Sequence, residues 1–121
     1  MKKIVLIILL GVLNTAHADS AVWSNSYGLE AAKKYADALS ALDAIPQTGD
    51  EGQLLLLRRG WLTYLQGQYN DSFSHYQDAL KQNPKSLDAA LGATLPLLAQ
   101  LRWQEAAAYA KKALDIAPKN N

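Results

Sequence analysis

Apolar residues fall along this chain in two kinds of pattern. The first is a continuous block, Ile4 to Leu13, ten residues broken only by Gly11. The second recurs downstream at helical intervals: Leu56, Gly60 and Thr63 stand at i, i+4, i+7, and after Gly67 come Phe73, Tyr76 and Leu80 at i, i+3, i+7. Such spacing puts side chains on one face of an α-helix, whereas a half-buried strand needs strict alternation. Gly67 suits a left-handed turn closing the first of these helices, and Pro84 lies just past the end of the second. The pattern predicts a helix, a tight turn and a second, antiparallel helix.

The same pattern repeats with a period of 34. Pro84 and Pro118, Ala79 and Ala113, Leu80 and Leu114, and Tyr69 and Trp103 are each 34 positions apart, and one step back Tyr35, Ala38, Leu39 and Leu42 precede Tyr69, Ser72, Phe73 and Tyr76. Three units follow, 19–52, 53–86 and 87–120, each expected to be a helical hairpin. In the first, Pro46 comes early, so its second helix should stop near Ile45. Gly60, Ser72 and Ala79 are small enough for close helix approach, while Tyr69, Phe73, Tyr76 and Trp103 are expected to fill the spaces between successive hairpins.

These residues resemble the tetratricopeptide repeat. The second unit matches best, through Gly60, Gly67, Tyr69, Ser72, Tyr76, Ala79 and Pro84; the third offers Ala90, Ala93, Trp103, Ala106, Ala113 and Pro118; the first is degenerate. The resemblance implies an all-α fold, three hairpins stacked as a short right-handed α-solenoid, and a non-enzymatic scaffold that binds another protein or peptide in a concave groove lined by the first helix of each unit. The matching groove positions are Trp23 and Tyr27, then Leu54, Leu57, Trp61, Tyr64 and Leu65, then Leu91, Leu95 and Leu98. Nearly all are apolar, which suits an apolar or amphipathic segment; the plainer alternative is that neighbouring helices cover them. Family members that clamp a carboxylate end do so with Lys, Asn and Arg; here those positions read Trp23, Tyr27, Arg58, Asp88 and Gly92, so only Arg58 remains as an anion contact.

The apolar block at the amino terminus changes the compositional picture. Lys2 and Lys3 precede it, and Ala16-His17-Ala18 presents small residues at both ends of an A-x-A site. That is the layout of a cleaved secretory signal peptide over 1–18, and the block is short of the ~20 residues a membrane span needs. Export, to the periplasm or as a secreted protein, is the expectation, with no membrane anchor left after cleavage. The whole chain has 121 residues, 12 Lys plus Arg and 11 Asp plus Glu; loss of Lys2 and Lys3 turns the formal charge from +1 to −1. A near-neutral chain offers no footprint for nucleic acid, and the absence of cysteine excludes disulfides, thiol nucleophiles and thiolate metal sites.

Enzyme chemistry finds no foothold, and no cofactor or metal is implied. His75, between Ser74 and Tyr76, reads as a solvated surface residue, and no phosphate loop or nucleophile elbow is present. Two departures from a regular repeat carry expectations. Pro96 falls inside the first helix of the third unit, predicting a kink or broken turn over 92–96. At the carboxyl end only Lys119, Asn120 and Asn121 follow Pro118, so the helix bearing Ala106, Ala107, Tyr109, Ala110 and Ala113 should expose an apolar face. A partner, a second copy, or the rest of a longer array would cover it.

Overall fold

The computed structural model describes residues 20–118, so the expected leader over 1–18 lies outside the described residues. Among the described residues the chain is all-α, without a strand. We label the helix over 20–31 α1, followed by α2 (Tyr35–Ser40) with a 3-10 turn at Ala41–Ala44, α3 (Gly49–Leu65), α4 (Tyr69–Gln82), α5 (Leu87–Ala99) and α6 (Trp103–Ile116). None of these helices is long and apolar enough to cross a membrane. The chain divides into two units, Met1–Ile45 and Pro46–Asn121.

In the first unit α1 and α2 form a hairpin. Ser26, fully buried, donates its hydroxyl to the carbonyl of Ala38 at 2.8 Å, which ties the two helices where small residues let them approach. The 3-10 turn ends at Ile45, whose extended backbone leads into Pro46, as the early proline requires.

The second unit holds two hairpins, α3–α4 and α5–α6, with α5 packed on both α3 and α4. Acidic Asp50 and Glu51 sit in the first turn of α3, where the helix dipole favours negative charge. The helix therefore starts at Gly49 and spans the expected unit boundary at 52/53. Ser72 donates to the carbonyl of Gly60 at 2.7 Å, the same pair of register positions as Ala38 and Ser26 with donor and acceptor exchanged between the helices. Leu55, Leu62 and Leu97 are fully buried, each contributing about 1.5–3 kcal/mol relative to exposure. Ala79, Leu80, Ala89, Ala90 and Ala113 form a buried cluster of their own, against which Leu56, Leu57, Tyr109 and Ile116 pack.

The 34-residue period is carried by the backbone as well as by the sequence. The second helices begin at Tyr35, Tyr69 and Trp103. Lys33, Gly67 and Leu101, again 34 apart, all adopt positive φ, of 61°, 76° and 60°. One residue further on, the amides of Lys34, Gln68 and Arg102 donate to the carbonyls of Leu29, Thr63 and Leu97 at 2.8–2.9 Å. Each turn is the same left-handed closure, satisfying a carbonyl that the helix end would orphan.

Of the kink or broken turn expected over 92–96, the broken turn is absent, since α5 is helical without interruption from Leu87 to Ala99. Pro96 is fully buried, so its ring adds to the core what its missing amide loses, and only three helical residues follow it. Side chains also satisfy carbonyls in this stretch: Thr94 donates to Leu91 at 2.6 Å and Gln100 to Pro96 at 3.1 Å. At the other end Ser86 caps the helix, accepting from the amide of Ala89 at 3.1 Å.

Candidate functional site

Tyr76 sets the spacing in the second unit. Its ring lies between Gly60 of α3 and Gly92 of α5, where a Cβ built on either glycine would stand within 3.0 Å of ring atoms. Only glycine lets both helix backbones come this close to one aromatic ring. Burial, then the charges of Asp88 and Tyr64, pushes the phenol up to about 12, so Tyr76 stays neutral as packing requires. This residue fills the space between hairpins as its sequence position suggests.

Trp61 and Tyr64 of α3 are stacked, with ring centroids 5.7 Å apart and planes 28° from parallel, and Tyr69 at the start of α4 extends the group at 5.8 Å from Tyr64. All three are half-buried. Three rings in contact across the turn, one pair stacked and one tilted, hold one another in place and still face solvent in part, which suits an aromatic anchor site. Tyr69 was assigned on sequence to the space between hairpins and so was missed as a member. Its signal was available, because Tyr64 and Tyr69 flank the Gly67 turn and such a turn folds the two helix ends together.

The remaining groove positions have different surroundings. Trp23, half-buried, and Tyr27, exposed, belong to the first unit. Leu54 is exposed and Leu65 half-buried. Leu57, half-buried, packs on the core. Leu95 is half-buried. Leu91 and Leu98 turn toward α6 instead, where with Thr94, Trp103, Ala107 and Ala110 they line an open groove of about 320 Å³. Sequence reading had Trp103 as a filler between hairpins, but it is 60 % exposed, because nothing among the described residues stacks beyond α6.

Two polar assignments change. Arg58, expected as an anion contact, is buried with only 7 % of its surface exposed, while its neighbour Arg59 is half-buried. An anion would have to enter the core to reach Arg58. His75 is half-buried, not a solvated surface group. Its pKa lies below the ordinary 6.5, first because burial penalises the imidazolium and then because Arg59 is nearby; Asp71 and Asp78 oppose the shift more weakly.

No group of three or more potential metal-ligating His, Cys, Asp or Glu side chains occurs among the described residues. The comparisons with known proteins add no identification: no family model matches the sequence, and a search of curated proteins returns no match.

Proposed function

We propose that this protein is a non-enzymatic interaction module of the tetratricopeptide type, exported to the bacterial periplasm after loss of residues 1–18, which binds an apolar or amphipathic segment of another envelope protein. In this reading the three hairpins stack as a short right-handed solenoid. The observation that carries it is the recurrence of one left-handed turn at Lys33, Gly67 and Leu101 in register with the sequence period, joined to a partly exposed aromatic cluster on α3 and the start of α4. A helical hairpin without arranged acid, base or nucleophile, carrying stacked aromatic side chains that face solvent in part, suits recognition by burial of an apolar anchor. Arg58 is dropped from the binding residues on account of its burial.

The test is recovery of the protein from its own envelope fraction with and without Trp61→Ala and Tyr64→Ala. The unsubstituted chain should begin at Asp19 and bring down a protein that the double variant does not. Equal recovery by both forms, or collapse of the helical circular dichroism in the variant, overturns the reading; the second outcome would make the aromatic cluster core.

A further inference from the structure

The outer face of α6 and the neighbouring edge of α5 lack the cover that the preceding hairpin has. Positions 34 apart make the comparison direct: Leu80 is 9 % exposed and Leu114 63 %, because α5 stacks on the α3–α4 hairpin and no described helix stacks on α5–α6. Leu91 and Leu98 are 48 % and 44 % exposed on the same side.

The contour of this face argues against a helix stacking on it as α5 stacks on α4. There the hairpin supplies the projecting ring, Tyr76, and the incoming helix supplies the hollow at Gly92. In the last hairpin Ala110 stands where Tyr76 would be, leaving the groove lined by Leu91, Leu98, Trp103, Ala107 and Ala110. An occupant must bring bulk to it. In the register of Gly92 the earlier helices of this chain carry Arg58, which is buried, and Ser24, which is small, so head-to-tail stacking does not fill the hollow.

The face does match itself. Along α6 its residues are Trp103, Ala107, Ala110 and Leu114, large at the two ends and small in the middle, at intervals that read the same in both directions. Two such helices laid antiparallel about a two-fold axis set Trp103 of each copy against Leu114 of the other. Ala107 meets Ala110 at the crossing, where small residues allow close approach. On the flank Gln104 of one copy comes beside Lys111 of the other, so like charges do not meet. The exposed parts of these side chains with Leu91 and Leu98 amount to on the order of 500–600 Å² per copy, or roughly 1,000–1,200 Å² for the pair, the lower end of specific interfaces.

We infer that the α5–α6 face is a homodimer interface, formed isologously with α6 antiparallel to α6 of a second copy. This does not depend on the aromatic cluster of α3 being a binding site. Sedimentation equilibrium of the protein as recovered from the cell, from about 1 to 200 μM, should show a monomer–dimer equilibrium. Ala110→Arg should raise the dissociation constant about a hundredfold by burying an unpaired charge, with helical circular dichroism unchanged because the site is exposed in the monomer. Since the chain has no cysteine, an equimolar mixture of an Ala107→Cys chain and an Ala110→Cys chain should give a mixed disulfide well above twice the yield of either like pair, which is what random pairing would produce. A monomer throughout, assembly beyond the dimer, association indifferent to Ala110→Arg, or no excess of the mixed crosslink each overturns the inference.

Discussion

Gly92 lies directly beneath the ring of Tyr76, so that a Cβ on Gly92 would stand 2.2 Å from the ring atom Cε1. The opposite edge of the ring faces Gly60 with almost as little room, at 2.7 Å, so the ring is confined between the two helices.

Gly92→Ala is therefore expected to destabilise the protein despite alanine's advantage of about 1 kcal/mol over glycine in a helix. Overpacking a closed core costs about 1–3 kcal/mol, and with contacts this close the upper part of that range applies, leaving a net loss of up to about 2 kcal/mol in a urea melt. Tyr76→Leu in the same chain should make the Gly92→Ala change nearly neutral, because the two sites are in contact and their effects do not add. Additive losses would show that the ring is not what confines Gly92.

The three left-handed turns differ in how well their residues suit them. Leu101 holds φ 60° and is 66 % exposed, while Gly67 holds φ 76° at the equivalent position. A non-glycine residue in this region costs about 1–2 kcal/mol, and glycine's greater freedom in the unfolded chain gives back about 0.5–1 kcal/mol. Leu101→Gly should then raise the midpoint of thermal unfolding, measured at low protein concentration, whereas Gly67→Leu should lower it. The same sign for both substitutions would contradict the common turn geometry.

Stability should fall on the acid side of neutrality because of His75. Its folded pKa lies below 6.5, for burial and Arg59 disfavour the charged form. Above 6.5 both folded and unfolded states hold a neutral ring and the residue contributes nothing. Below 6.5 the unfolded chain takes up a proton first, so stability drops until the pH reaches the lowered folded value, after which the loss is constant. Unfolding midpoints between pH 7.5 and pH 5 should decline more steeply in the unsubstituted protein than in His75→Gln; parallel slopes would remove His75 as the cause.

The helical hairpins were legible before the structure because their determinants are local and periodic. Gly67, Pro84 and the apolar spacing around Tyr76 each act within a turn or two of chain, and Pro46 alone stops the 3-10 turn at Ile45. The missing break at Pro96 has the converse reason. Its intrinsic preference argues for a break, but its ring is fully buried, and packing from other helices outweighs the lost hydrogen bond. Arg58 was misplaced for a similar cause: neighbours in sequence point in different directions around α3, and only the packing of other parts of the chain determines which side chain is enclosed. Leu57, Leu91 and Leu98 carry the same side chain on first helices, yet one is core and two border an open groove, because α5 covers the first hairpin of its unit and no described helix covers the second.

By itself, then, the sequence determined the helices, the 34-residue interval and the three turns, since backbone preference and hydrophobic period are encoded residue by residue. Tertiary structure decided which apolar faces are spent on packing and which stay open. Exposure depends on whether another helix arrives, and that is a property of neighbours distant in sequence, as the contrast between buried Leu80 and exposed Leu114 at the same position of the repeat makes plain.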